Sequence, residues 1–595
     1  MKDLLMGNEA VAAGALAAGV GVVCGYPGTP STEVLETVAK MNPGNVYVEW
    51  SVNEKAALEV GAGAAYSGKR VMVTMKQVGL NVASDPLMSL NYIGIKGGMI
   101  IYVADDPGPI SSQTEQDTRH FGKYAKIPVF DPSSPAEAYS MVSDAFELSE
   151  KYQAPVILRA TTRICHSCST IDVASFPEPK NADGFCKDSR WVIFPKLSYN
   201  NKKKIEARES ILADEFSTYH FNEILGHGKI GIACGGDSCA YVREAIKGYE
   251  DLFTVFKVAT PFPFPEKQAC DFINKVEDVI TFEELDPVIE DALVYLCGKK
   301  GLHKKIYGKR DGSVINAGEL SVYEIQKTID KIYKTSLLKN NTEHQLPSLP
   351  VRPPVLCAGC PHRASFYAVK KAMAGKKAVF CGDIGCYTLG NAAPLDMVDT
   401  CLCMGAGITI AQGIDHAENG SINFSFVGDS TFSASGITGV VNAVYNKANM
   451  ILVVLDNSTT AMTGHQPHPG TGKTMMGEVS AAISIPAVLK AVGVETVVQA
   501  DPLDFENSVS VIKDLSEKSG VRAVIFKSPC IAVVKNEKIC KVDENICIGC
   551  KKCVRELGCP AISIKNGKAV IEKSLCTGCV LCNAVCPKKC IGGEK

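Results

Sequence analysis

Short apolar runs bounded by turn residues recur along this chain at helix-length intervals. Val46-Tyr47-Val48, Val71-Met72-Val73-Thr74, Met99-Ile100-Ile101-Tyr102-Val103 and Pro155-Val156-Ile157-Leu158 are continuous rather than alternating. That pattern predicts strands buried on both faces, hence parallel sheets covered by helices. Ala10 to Cys24 is Ala/Gly-rich, follows Asn8-Glu9 and has no basic n-region; it predicts a packed helix, not a secretory leader. Asp183 to about Gly228, with Lys202-Lys203-Lys204, reads as a connector. Ile230-Gly231-Ile232-Ala233, Phe253-Thr254-Val255-Phe256 and Val279-Ile280-Thr281-Phe282 then begin a second, smaller α/β unit. Asn340 to Pro354 holds four prolines and reads as an interdomain linker. A third unit has strands near Ala378-Val379-Phe380, Phe424-Ser425-Phe426-Val427 and Ile451-Leu452-Val453-Val454-Leu455, and a tail starts near Asn536. The expected fold class is a multidomain α/β protein divided at 1–185, 186–340, 341–535 and 536–595.

A length of 595 residues agrees with about four domains. Hydrophobic content of 46% and charge of 21% describe a core-forming chain. A net charge of −2 gives no reason to expect nucleic acid or an anionic membrane as partner. Twenty-five cysteines would be hazardous in an oxidising compartment, so the expected location is a reducing cytoplasm. No apolar stretch is long enough to span a bilayer convincingly.

The cysteines change the picture most in the tail. Cys547, Cys550, Cys553 and Cys559-Pro560 form one run, and Cys576, Cys579, Cys582 and Cys586-Pro587 form another. Thiolates spaced two apart on a tight turn share an iron-sulfur cube, and the proline-followed cysteine usually ligates the other run's cluster. The expected [4Fe-4S] sets are therefore Cys547, Cys550, Cys553 with Cys586, and Cys576, Cys579, Cys582 with Cys559. The first run is irregular, with five residues before Cys559 where three are usual. Two zinc knuckles are the alternative, but they leave both Cys-Pro endings unexplained.

In the third unit Gly428-Asp429-Ser430 closes one apolar strand and Asp456-Asn457 closes the next. Glycine there lets a backbone approach a diphosphate, while Asp429, Asn457 and the carbonyl of Thr459 offer oxygen ligands to Mg2+. The competing reading is a strand-turn-helix with an incidental Gly-Asp. Pro469-Gly470-Thr471-Gly472-Lys473-Thr474 imitates a P-loop, but Pro467 stands where its first glycine must be and no strand feeds it.

The sequence resembles the 2-oxoacid:ferredoxin oxidoreductases, which use thiamine diphosphate. The resemblance rests on Tyr26 to Glu33 (YPGTPSTE), Glu49 to Ala57 (EWSVNEKAA), Leu356 to Arg363 (LCAGCPHR), Gly382 to Cys386 (GDIGC) and Asp456 to Gly470, and it covers essentially the whole chain. Within the family the chain looks like the larger, alpha subunit of the branch acting on arylpyruvates of the indolepyruvate and phenylpyruvate type. The metal motif departs from the commoner thiamine pattern at Ser430 and Asp456, without removing an expected ligand.

The resemblance implies a pyrimidine-binding thiamine domain, a transketolase C-terminal-like α/β domain, a diphosphate/Mg-binding thiamine domain and a ferredoxin-like domain, in that order. It implies that Glu54 switches the aminopyrimidine, for which its carboxyl must be buried with a raised pKa. Thr29 falls where the family places a hydroxyl near the substrate carbonyl, and Arg119 is a clamp for the substrate carboxylate. A turn residue and a solvated surface arginine are the respective alternatives. Gly385, Cys386, Gly405, Gly428, Asp429, Ser430, Asn457 and Thr459 are placed around the cofactor, and His465 and His468 follow the metal loop. Cys357, Cys360, Cys386 and Cys530 match a third [4Fe-4S] cluster near thiamine, the alternative being buried thiols. Cys165, Cys168, Cys381, Cys401 and Cys403 read as structural. The implied reaction converts an arylpyruvate and coenzyme A to an arylacetyl-CoA with reduction of ferredoxin. A gamma-type domain is absent from the pattern, so a separate smaller beta subunit in an alpha2beta2 assembly is expected. Two other readings remain: the same chemistry on pyruvate or branched-chain 2-oxoacids, and a non-catalytic electron-transfer subunit.

Overall fold

The computed structural model describes residues 2–338, 349–350, 352–418, 420–534 and 538–593. The chain falls into two units, 1–346 and 347–595. Most of the expected linker, Asn340 to Pro354, and the tail boundary at Asn536 lie outside the described residues.

In the first unit six parallel strands lie in the order Tyr47–Trp50, Val22–Gly25, Val71–Lys76, Met99–Asp105, Val156–Thr161, Val129–Phe130. Met99–Asp105 is buried throughout, which is why its sequence does not alternate. The helix expected over Ala10 to Cys24 is shorter. It runs Gly7–Ala17 and stops before Gly19, whose φ of 69° ends it; Val22-Val23-Cys24 instead enters the sheet, as β-branched residues beside a partner strand favour. The expected connector is corrected too. Most of its middle is a 22-residue helix, Pro195–Phe216, buried only at Ile205, Leu212 and Phe216. Spacings of seven and four put those three on one stripe, and Lys202 pairs with Glu206 one turn on. A sparse stripe among lysines conceals a helix from a composition reading.

A second sheet in this unit has the order Ile306–Tyr307, Asp278–Phe282, Ile230–Gly235, Phe253–Val258, Glu223–Gly226. Only the last strand is antiparallel.

The second unit is built on a five-stranded parallel sheet, Ala378–Cys381, Ile422–Gly428, Met450–Asp456, Val521–Lys527, Thr496–Ala500. One apolar cluster joins Phe366, Phe424 and Phe426 to Leu557, Ile562 and Leu581 of the cysteine-rich tail. Arg363 ties the two together: its guanidinium donates to the carbonyls of Gly558 (3.1 Å) and Leu356 (2.6 Å). The tail is thus a packed part of this unit. Among the described residues no helix is long and apolar enough to cross a membrane.

Candidate active site

Loops at the carboxyl ends of parallel strands gather the chemistry in each unit, the edge where open α/β sheets bind ligands. In the first unit Tyr47–Trp50 leads into a helix, Glu54–Tyr66, capped by Asn53 accepting from the Ala56 amide at 2.8 Å. Glu54 is the first helical residue and only 8% exposed. Burial pushes its carboxyl up to about 7, its own amide and the Lys76 ammonium pulling the other way. The backbone of Gly79 presses on that carboxyl: a Cβ there would lie 2.6 Å from Glu54 Oε1. Thr29 is half-buried in the turn after Val22–Gly25, where Ser31 Oγ donates to the Gly28 carbonyl at 2.7 Å.

Arg119 is not a free clamp. It is 1% exposed; its Nε and Nη2 bond the Asp117 carboxylate, Nη1 bonds Glu283 at 2.9 Å, and Nη2 also donates to the carbonyls of Glu284 and Asp286. A guanidinium engaged from three sides joins the loop after Met99–Asp105 to the loop after Asp278–Phe282. The sequence shows an arginine in a polar loop but not the distant Glu283 that claims it.

In the second unit Asp429 Oδ2 accepts from the Ser458 amide at 2.8 Å and pairs with His468 Nε2 at 3.1 Å. The Ser458 bond brings Asp429 to the residue between Asn457 and Thr459, so the three expected metal-binding residues share one corner. Burial raises the Asp429 carboxyl, against the pull of His468, an arrangement a divalent cation would relieve. Asn457 Nδ2 lies 3.2 Å from His362 Nε2. Burial holds His362 down at about 4, so its ring is neutral, and with the Asn457 Nδ2 donor facing it Nε2 is the accepting nitrogen. Asn457 Oδ1 faces the other way and accepts from the Thr459 amide at 3.3 Å, which leaves a lone pair for a cation.

The glycines have a more immediate reason than a diphosphate. A Cβ on Gly428 would come 2.6 Å from the Tyr387 ring and one on Gly385 2.4 Å from it. Tyr387 donates to Asp383 Oδ2 at 3.0 Å, and Asp383 Oδ1 accepts from the Gly405 amide at 2.7 Å. Burial pushes Asp383 up to about 7, opposed by the Gly405 and Ile384 amides. Asp383 and His362 were not singled out in the sequence, although Gly382-Asp383 ends an apolar strand just as Gly428-Asp429 does.

Most thiols of the same unit fall into three neighbourhoods, Cys381, Cys401 and Cys403 standing apart. Burial, then neighbouring Cys530 and Cys357, push the Cys386 thiol up to about 11, and burial with Cys357 pushes Cys360 to about 12. One cavity is lined by Cys547, Cys550, Cys553 and Cys586; another by Cys559, Cys576, Cys579 and Cys582. Each cavity takes its proline-followed cysteine from the other run. Cys360 and Arg363 line the second cavity as well. These donor sets fit iron-sulfur cubes, and the Asp429 corner fits a magnesium-held diphosphate.

Residues 13–187 match the family model described as "Pyruvate flavodoxin/ferredoxin oxidoreductase, thiamine diP-bdg", and residues 383–526 match "Thiamine pyrophosphate enzyme, C-terminal TPP binding domain". Fold and site together define a thiamine diphosphate-dependent 2-oxoacid:ferredoxin oxidoreductase. The chain is 39% identical over 616 residues to "Indolepyruvate oxidoreductase subunit IorA" of Archaeoglobus fulgidus, covering 100% of this chain and 98% of the relative. The same-named protein of Thermococcus kodakarensis is 40% identical, at 98% and 96% coverage. The chain belongs to the indolepyruvate oxidoreductase subunit IorA family. A solved 2-oxoglutarate:ferredoxin oxidoreductase from Magnetococcus marinus is similar at 20% identity and a TM-score of 0.45, over 56% of this chain and 65% of that one.

Proposed function

We propose that the chain is the catalytic subunit for oxidative decarboxylation of arylpyruvates to arylacetyl-CoA, with reduction of ferredoxin. Bound thiamine diphosphate supplies the electron sink for loss of CO2 from the 2-oxoacid. Glu54 holds and returns a proton to the aminopyrimidine, a task its pKa of about 7 suits near neutrality. Thr29 offers its hydroxyl to the substrate carbonyl. Asp429, the Asn457 amide oxygen and the Thr459 carbonyl would hold Mg2+, and Gly385, Cys386, Gly405, Gly428 and Ser430 would border the diphosphate. His362 orients Asn457 for that purpose.

The observation that carries the reading is Cys360. It immediately precedes the helix bearing His362, and it lines the cavity of Cys559, Cys576, Cys579 and Cys582. The metal corner and the tail thiols are therefore neighbours through one turn of chain. Cys357, Cys360, Cys386 and Cys530 would hold a third [4Fe-4S] cluster beside those held by the Cys576-led and Cys547-led sets, and such clusters would supply one-electron carriers toward a ferredoxin. A smaller beta subunit completes an alpha2beta2 enzyme in a reducing cytoplasm, with coenzyme A accepting the acyl group. The domains are 1–185, 186–340, 341–535 and 536–595.

Coenzyme A-dependent viologen reduction by the anaerobic complex, measured across 2-oxoacids, tests the substrate. Arylpyruvates should give the highest kcat/KM. A preference for a branched-chain acid would overturn that assignment.

A further inference from the structure

Besides its four expected ligands, and the Cys360 that edges the second, each tail cavity is lined by one further tail thiol. Cys590 joins Cys547, Cys550, Cys553 and Cys586; Cys540 joins the other four. Neither fits a C-x2-C run, and neither is required by a four-thiolate cube. Both are deeply buried, at 6% and 2% exposure. Their placement is matched. Strand Cys540–Val542 pairs antiparallel with Ile591–Gly593, Val542 opposite Ile591 and Cys540 opposite Gly593, and the Asp543 amide donates to the Cys590 carbonyl at 2.8 Å. The two cysteines therefore stand at opposite ends of one short ladder, one over each cavity.

Their contacts are with the expected ligands themselves. Cys590 Sγ lies 3.4 Å from Cys586 Sγ. The Cys540 amide donates to Cys576 Sγ at 3.4 Å. The Cys590 sulfur, held that close to a ligand sulfur, reaches the same iron by side-chain rotation and a small backbone adjustment; the Cys540 thiol bonds the thiols of Cys582 and Cys576 and is placed likewise in the second cavity.

We propose that Cys540 and Cys590 are reserve ligands, one for each [4Fe-4S] cluster, able to replace a lost neighbouring thiolate. In the exchange the iron–sulfur bond to Cys586 is broken or missing, the Cys590 thiol gives its proton to water, and its sulfur bonds the vacated iron. No electron is consumed. The inference rests on the cluster reading of the tail.

The test uses the full-length chain in its assembled complex, purified anaerobically, as wild type, Cys586→Ala, Cys590→Ala and the double variant. Iron and acid-labile sulfide per chain are measured, with EPR of the dithionite-reduced protein. Each single variant should keep the wild-type iron content and its [4Fe-4S] signals, Cys586→Ala with altered g-values. The double variant should lose about four irons, one cube's share. If Cys586→Ala alone loses as much iron as the double variant, or yields a three-iron cluster, the reserve role is overturned while the cluster reading stands. Wild-type protein without cluster iron would overturn both. Cys576→Ala with and without Cys540→Ala repeats the comparison at the second cavity, and thiamine content confirms that each variant has folded.

Discussion

Glu54→Gln separates the activity of the first unit from its stability. The folded carboxyl has its pKa raised from 4.5 to about 7 by burial. Below pH 4.5 the side chain is protonated in folded and unfolded chains alike, and no penalty arises. As pH rises the unfolded chain ionises first, so stability falls until the folded group ionises near 7. At ~1.4 kcal/mol per pH unit the accumulated penalty above that point is about 3 kcal/mol. Glutamine has nearly the same shape and cannot ionise. The variant should therefore be more stable than wild type at pH 8 by up to about 3 kcal/mol, with the gain vanishing by pH 4, as read from denaturant unfolding of the cofactor-free protein followed by first-unit fluorescence at several pH values. At the same time kcat should fall by ~10²–10⁴, the usual contribution of a positioned acid–base group, with cluster iron unchanged. A variant with ordinary turnover, or with the same stability difference at pH 4 and pH 8, would refute the reasoning.

Arg119→Met should destabilise the first unit by about 3–5 kcal/mol, because Asp117 and Glu283 are left buried and unpaired; a large rise in KM for 2-oxoacids at unchanged stability would restore the substrate-clamp role. Asp429→Ala should abolish Mg2+-dependent retention of thiamine diphosphate while leaving the iron content intact, measured by cofactor analysis after gel filtration. The tail from Lys538 to Gly593 carries ten Lys and Arg against four Asp and Glu, in a chain of net charge −2, and Lys551 and Lys588 line the Cys547-led cavity. Lys551→Glu with Lys588→Glu should slow reduction of an acidic ferredoxin at least tenfold at low salt and leave viologen reduction unchanged.

Parallel sheets were legible because buried strands write continuous apolar runs, and the tail because cluster ligands keep a fixed spacing. The helix over Pro195–Phe216 was not, since three buried positions among lysines barely mark a periodicity. Glu54, Asp429 and Asn457 could be picked out as motif residues at strand ends, but their surroundings could not. His362 against Asn457 spans 95 residues and Arg119 against Glu283 spans 164; no local pattern records such a pairing. Cys540 and Cys590 escaped for the opposite reason. They sit one strand away from a motif so regular that it seems complete without them.

The central claim is that Glu54 at one end and the tail thiols at the other serve a single reaction. Rapid-freeze EPR of the anaerobic, oxidised complex, mixed with an arylpyruvate in the absence of ferredoxin, tests it directly. Reduced [4Fe-4S] signals should appear within a turnover in the wild type and fail to appear on that timescale in Glu54→Gln. Clusters that stay oxidised in the wild type, or become reduced equally fast in the variant, would contradict the account.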